Sequence, residues 1–81
     1  MDVDHEIELL KEKIKLLGVD GGDGTWTVKF GVLFNDTECA NLFEALVGTL
    51  RAAKKRKVVT FQGQMLLSPT HDDVDVKLLV A

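Results

Sequence analysis

Residues 58–80, VVTFQGQMLLSPTHDDVDVKLLV, have the pattern of two short strands separated by a polar loop. The β-branched run Val58–Phe61 is followed by a turn at Gln62-Gly63, and a polar loop occupies Ser68–Asp73. The last residues alternate, with apolar Val74, Val76, Leu78 and Val80 set against polar Asp75 and Lys77. This alternation predicts a closing strand that pairs with the strand near residue 60.

The residues before this region predict helices. Apolar side chains recur between residues 3 and 17 at spacings of four and three, which places them on one helical face: Val3, Ile7, Leu10, Ile14 and Leu17. Asp2 or Asp4 can cap the start of this helix, and Gly18 can close it in the left-handed conformation. The glycine-rich stretch 18–24 is then expected to be a flexible connector.

The middle of the chain predicts a strand, a short helix and a long helix. Residues 25–30 alternate as a strand would, and residues 31–34 are expected to form a helical turn that ends at Asn35-Asp36. Asn35 and Glu38 have the spacing of a capping box. A continuous helix is predicted from Glu38 to Lys54 or Lys55, with a buried face of Cys39, Leu42, Phe43, Leu46, Leu50 and Ala53.

The order of these elements predicts an α+β fold that is winged-helix-like, with three helices and a small antiparallel sheet. A chain of 81 residues is expected to form a single domain spanning residues 1–81. No apolar run reaches the roughly 18 residues of a membrane helix, and the acidic start is unlike a signal peptide. One cysteine excludes an internal disulfide. The expected class is a soluble intracellular protein, and no membrane association is predicted.

The charge of the chain is unevenly distributed. The formal net charge is −3, yet residues 39–57 carry +4 because five cations occupy the seven residues 51–57. Cations stabilise a helix C-terminus, but one or two suffice for that role. The excess favours an anionic partner, and the candidate partner-binding residues are Arg51, Lys54, Lys55, Arg56 and Lys57. A role in solubility alone is the alternative.

Small side chains form a second candidate contact surface on the predicted long helix. Ala45, Gly48, Thr49 and Ala52 follow the i, i+3, i+4, i+7 spacing of one helical face. Glycine in a helix interior costs about 1 kcal/mol relative to alanine. Such a face allows another backbone to approach closely, so Ala45, Gly48 and Thr49 join the candidate partner-binding residues. Close packing within the same domain is the alternative.

A nucleic-acid-binding winged helix is the second functional hypothesis. The polar positions on the first turns of the long helix are Asn41, Glu44 and Gly48, so a carboxylate would face the phosphates. The expected wing, residues 62–73, contains two aspartates and no lysine or arginine. Because phosphate contacts supply much of DNA affinity, duplex binding is the weaker hypothesis.

Catalytic groups are sparse. Cys39 is expected on the buried face of the long helix, where it would be a core thiol. The chain has two histidines, and the acidic residues that follow His71 alternate along a strand instead of converging as metal ligands do. We therefore predict no enzymatic activity, no catalytic residues, no cofactor and no bound metal.

The chain resembles the Costars family over essentially its whole length. The resemblance is carried by FGVLFND at residues 30–36, CANLFEALVGTL at 39–50 and the basic run 51–57, with support from residues 1–10 and 71–74. It implies a winged-helix-like fold and a monomeric, cytoplasmic protein associated with the cytoskeleton. It also implies regulation of actin dynamics and cell motility, through binding to actin or to the severing protein cofilin. The basic run is compatible with this role because actin filaments are acidic.

Overall fold

A computed structural model describes residues 2–42, 45–63 and 66–80 of the chain. Within those residues it contains four helices and four strands. In chain order they are α1 (Val3–Leu17), β1 (Val19–Asp20), β2 (Trp26–Lys29), α2 (Phe30–Asn35), α3 (Thr37–Leu42), α4 (Leu46–Lys55), β3 (Val59–Thr60) and β4 (Asp75–Leu78). The predicted α+β class is confirmed, whereas the predicted number of three helices was wrong. The winged-helix description stays a prediction.

The four strands form one antiparallel sheet in the order β1-β2-β4-β3. The closing strand β4 lies inside the sheet, where Val76 pairs with Val28 of β2 and Leu78 pairs with Val59 of β3. These four side chains are buried on one face. Charged side chains face outward, and Lys29 forms a salt bridge of 2.8 Å to Asp75 on the neighbouring strand. The alternation in the sequence therefore sets which face of the sheet is packed.

Helix α1 covers the buried face of the sheet. Its Ile7, Leu10 and Ile14 are buried in the core, as the helical spacing predicts. Asp2 caps the helix, because its Oδ1 accepts a hydrogen bond of 3.2 Å from the backbone N–H of His5. The helix packs against α4, β2, α2 and α3, so one amphipathic face organises most of the fold.

The end of α1 differs from the prediction. Gly18 has φ −95° and ψ −171°, which is extended backbone and not the expected left-handed closure. The chain continues directly into β1, a strand that the glycine-rich sequence did not predict. Gly18 is required for a steric reason, because a Cβ there would lie 2.6 Å from the carbonyl oxygens of Ile14 and Thr27. The close approach allows β1 to pair with β2 immediately after the helix.

The predicted long helix is interrupted. Ala45 is extended, with φ −148° and ψ 95°, and α4 begins at Leu46. The predicted buried face holds in part: Cys39, Leu50 and Ala53 are fully buried, whereas the side chain of Leu42 and all of Phe43 lie outside the described residues. Alanine strongly favours helix, so local preference does not explain the break. The two segments have different packing partners, α4 lying against α1 and β3 and α3 against α2 and α1.

A partly buried ion-pair cluster holds the start of α3 to α1. The ammonium group of Lys13 lies 3.4 Å from Oδ2 of Asp36 and donates a hydrogen bond to Glu38. Asp36 also caps α3 by accepting a hydrogen bond of 3.0 Å from the N–H of Glu38. The predicted capping box from Asn35 was wrong, since Asn35 instead donates to the carbonyl oxygen of Gly31.

The ion-pair cluster predicts a loss of stability at alkaline pH. The hydrogen bond to Glu38, followed by the charge of Asp36, raises the pKa of Lys13 above its usual 10.5, although burial opposes the shift. The stabilisation is fully present below the pKa of the unfolded chain and is lost as pH rises through the folded pKa. We expect the urea midpoint to fall above about pH 10.5 more steeply with Lys13 than in a Lys13→Met variant.

Both chains in that experiment should carry Cys39→Ala, because Cys39 titrates in the same range. The urea midpoints are measured from neutral pH to about pH 12. Parallel curves for the two chains above pH 10.5 would show that Lys13 gains nothing from its carboxylate partners.

Candidate functional site

Helix α4 presents two different faces. Its inner face is apolar, with Leu50 and Ala53 fully buried against α1 and β3. Its outer face carries Gly48, Arg51 and Lys55, which are exposed. The helical spacing of i, i+3 and i+7 aligns these three positions. Three of the candidate residues predicted from the sequence thus lie on the side of α4 that faces away from the core.

A pocket of about 550 Å³ lies beside this outer face. It is lined by Gly48, Arg51, Ala52, Lys54, Lys55 and Phe61. Phe61 was not among the predicted site residues, since the sequence marks it only as the end of an apolar run. Phe61 immediately follows β3, and its ring lies beside α4. This arrangement makes the surface concave.

Lys54 lines this pocket and has a structural role. Its Nζ donates hydrogen bonds of 2.7 Å to the carbonyl oxygen of Phe61 and 2.6 Å to that of Gly63. The same ammonium group lies 4.4 Å from the centroid of the Phe61 ring, within cation–π range. Lys54 therefore links the chain after β3 to α4, and two of its three N–H donors are already engaged.

Arg56 has an internal partner at the surface. Its guanidinium group pairs with the carboxylate of Asp4 in the first turn of α1. The arginine side chain is 49% exposed and that of the aspartate 81% exposed. Exposed pairs of this kind contribute about 0–1 kcal/mol, so a competing carboxylate can replace Asp4 at little cost.

The remaining three cations are available to a partner. Arg51, Lys55 and Lys57 are exposed, and within residues 2–42, 45–63 and 66–80 they form no ion pair or hydrogen bond through their side chains. Lys57 ends the basic run in the left-handed region at φ 61°. The predicted run of five cations thus divides into one structural lysine, one paired arginine and three free cations.

The small residues are separated by the break in the helix. Ala45 precedes α4 in extended conformation, and its carbonyl oxygen accepts a hydrogen bond of 3.2 Å from the Thr49 hydroxyl. Thr49 is only 1% exposed, so it lies within the core and not on the outer face. Ala45 and Gly48 are exposed and Ala52 is half-buried. The single four-residue face predicted from the spacing is therefore not present, and Gly48 and Ala52 are the small residues that line the pocket.

Comparison with known proteins identifies the family. The Costars family model matches residues 2–79. This chain belongs to the Costars family. It is 66% identical over 79 residues to Costars family protein ABRACL of Xenopus tropicalis, covering 98% of each chain. The ABRACL protein of Homo sapiens is 63% identical with the same coverage, and Protein costars of Dictyostelium discoideum is 63% identical over 98% of this chain and 96% of its own.

The Costars fold has also been solved in a close relative. The structure entitled "Solution structure of human HSPC280 protein" matches with a TM-score of 0.87 and 60% identity. The match covers 100% of this chain and 95% of that protein. The α4 pocket and the basic run both lie inside the region that matches the Costars family model.

His71 has a structural role in this Costars chain. His71 accepts a hydrogen bond of 2.9 Å at Nδ1 from the backbone N–H of Leu67, so it orders the loop before β4. Among the described residues, no group of three or more His, Cys, Asp or Glu side chains is placed to hold a metal ion. None of the described helices has the length and hydropathy needed to cross a membrane.

Cys39 is expected to be unreactive in the folded Costars chain. The thiol is fully buried, and burial, followed by the negative charge of Asp36, raises its pKa from 9.0 to about 11. The smaller thiolate fraction alone should slow thiol–disulfide exchange about 100-fold at neutral pH. Reaction with a disulfide reagent, followed by absorbance in buffer and in urea, measures this ratio. Equal rates in the two solutions would contradict a core position for the thiol.

Proposed function

We propose that this Costars-family chain is a non-enzymatic regulator of actin-cytoskeleton dynamics and cell motility. It acts by binding actin, an actin-severing protein such as cofilin, or both, through the outer face of α4. It works in the cytoplasm at the cytoskeleton, as a monomer and without a cofactor. The actin part of the proposal rests on family membership, because the resemblance to the Costars family implies this role.

The observation that supports a binding function most directly is the concentration of free cations beside a pocket. Arg51 and Lys55 border the pocket, and Lys57 follows them at the end of the basic run. The 62 residues outside positions 39–57 contain twelve acidic and five basic side chains, a net charge of −7. A local positive surface on an otherwise acidic protein attracts acidic partners to that surface.

The same contacts argue against the nucleic-acid hypothesis. Lys54 is engaged with two backbone carbonyl groups and Arg56 with Asp4, which leaves three free cations in the basic run. Duplex affinity rises with the number of phosphates neutralised, and three contacts on a chain of net charge −3 provide a weak footprint. The geometry therefore favours a protein partner.

Co-sedimentation with actin filaments tests the proposal. The purified chain is centrifuged with filaments at physiological salt, with and without cofilin, and the bound fraction is measured across a filament titration. Saturable pelleting that requires filaments supports direct binding, and pelleting that requires cofilin assigns cofilin as the bridge. If the chain stays in the supernatant in both conditions and binds neither monomeric actin nor soluble cofilin, the proposal is wrong.

A further inference from the structure

We infer that the α4 pocket accepts one apolar side chain carried on an acidic segment of the protein partner. The α4 pocket is the cavity lined by Gly48, Arg51, Ala52, Lys54, Lys55 and Phe61. The inference rests on the proposed function and specifies which part of the partner binds. It assigns an apolar anchor to the pocket and carboxylates to the cations at its border.

The pocket has the size and chemistry for an apolar anchor. Its volume of about 550 Å³ falls within the roughly 300–1,000 Å³ of pockets that bury a small ligand. Ala52, which is half-buried, and the small exposed part of Phe61 supply apolar surface. Although Lys54 also lines it, two carbonyl oxygens and the aromatic ring already satisfy that ammonium group. An apolar side chain can therefore enter beside Lys54 without breaking the contacts of its ammonium group. Arg51 and Lys55, which also line the pocket, keep their charges available to carboxylates of the partner.

Gly48 leaves the pocket open at a cost to the helix. It lies in the first turn of α4, as the third residue of the helix, and glycine is less favourable than alanine within a helix. Nothing within the described structure requires a glycine at this position. A Cβ at Gly48 would meet only the Cβ of Ala45, at an ordinary 3.5 Å. Gly18 and Gly31 differ, since a Cβ at either would lie under 3.0 Å from another atom. The absent side chain thus benefits a molecule that approaches α4 from outside.

The free cations define the flanking chemistry. Arg51 and Lys55 are four residues apart, on the same side of α4, and both are exposed at the pocket. Together they can bind carboxylates on either side of an inserted apolar residue. A nucleic acid would need aromatic faces for base stacking, but Phe61 is 5% exposed and lies under Lys54. An acidic peptide segment fits both the charge and the shape.

A set of synthetic peptides tests this inference on the full chain. Fluorescein-labelled 12-residue peptides have either Asp/Glu or Lys flanks, and their central residue is Leu, Met, Phe, Ser or Gly. Because burial of a large apolar side chain is favourable, the acidic Leu peptide should bind at least about tenfold more tightly than the acidic Ser peptide. In amide NMR spectra, the shifts should centre on Gly48, Ala52 and Lys55.

Two variants with one matched control locate the binding. Gly48→Gln fills the pocket without adding charge and should remove the preference for Leu over Ser, while the better helix propensity of glutamine preserves the fold. Arg51→Gln should weaken the binding of all the acidic peptides. Lys15→Gln removes the same charge from an exposed position in the last turn of α1 and should leave every affinity nearly unchanged. Urea unfolding of each variant verifies that it is folded.

Three results would overturn the inference. Affinity that follows peptide charge alone would show that no anchor enters the pocket. Shifts centred away from α4 would place the binding elsewhere, and tighter binding of a 12-base-pair duplex DNA than of any acidic peptide would assign a nucleic acid instead. The proposed function fails separately: peptides that bind in the pocket with no binding to actin or cofilin would leave the pocket assignment intact. Filament pelleting without peptide binding would support the proposed function and contradict the pocket assignment.

Discussion

Reversing the charges of Arg51 and Lys55 together is expected to weaken filament association at least about tenfold, because like charges placed across an interface cost several kcal/mol. Both side chains are exposed and, among the described residues, have no internal ion pair. The fold should therefore survive, apart from a small penalty for carboxylates near a helix C-terminus. The measurement is the dissociation constant from co-sedimentation of the Arg51→Glu, Lys55→Glu variant.

The matched control is the Lys15→Glu, Lys77→Glu variant. It changes the net charge by the same amount at exposed positions on α1 and β4, outside the α4 pocket. Equal weakening in the two variants would show that net charge, and not the outer face of α4, controls the association. Lys54 and Arg56 are unsuitable for this test, since changing Lys54 removes two hydrogen bonds and changing Arg56 releases Asp4.

Gly18→Ala is expected to cause a large loss of stability from a single methyl group. The added Cβ would lie 2.6 Å from two backbone oxygens, one in α1 and one in β2. Neither oxygen can move freely, because Ile14 lies within a helix and Thr27 within the sheet. Overpacking of this kind costs about 1–3 kcal/mol and sometimes more. Urea denaturation monitored by the fluorescence of Trp26 provides the free energy of unfolding.

Gly48→Ala is the internal comparison for Gly18→Ala. The same methyl group added in the first turn of α4 makes one ordinary contact and should raise the free energy of unfolding by up to about 1 kcal/mol. Opposite signs for the two substitutions would support the steric account of both glycines. An unchanged midpoint for Gly18→Ala would contradict the close approach of α1 and β2.

The parts of the fold that follow from the sequence are those set by local periodicity. The apolar spacing in α1 and the alternation in β4 each place their buried side chains correctly, because a helix or strand repeats its faces at a fixed interval. β1 has no such signal, since two residues after a glycine form a strand only when β2 lies beside them. The break at Ala45 is also non-local, because alanine itself favours helix.

The sequence predicts which residue types form the candidate site, but not how their side chains are arranged. The density of cations in residues 51–57 indicates an anionic partner without any structure. The sequence could not distinguish Lys54 from Lys55, because their roles depend on Phe61 and Gly63 returning to α4. Nor could it place Thr49 in the core, since the face that Thr49 occupies depends on where α4 begins.

The strand order has a consequence for how the protein is made. β4 is the last strand in chain order, yet it is hydrogen-bonded to both β2 and β3. As the polypeptide leaves the ribosome, β2 has only the two-residue β1 beside it, and such a ribbon is marginal in water. Val28 of β2 and Val59 of β3 lack their partners in the sheet until Val76 and Leu78 emerge. The sheet can therefore be completed only after β4 has been synthesised, and until then the edges of β2 and β3 that face β4 have no strand partner.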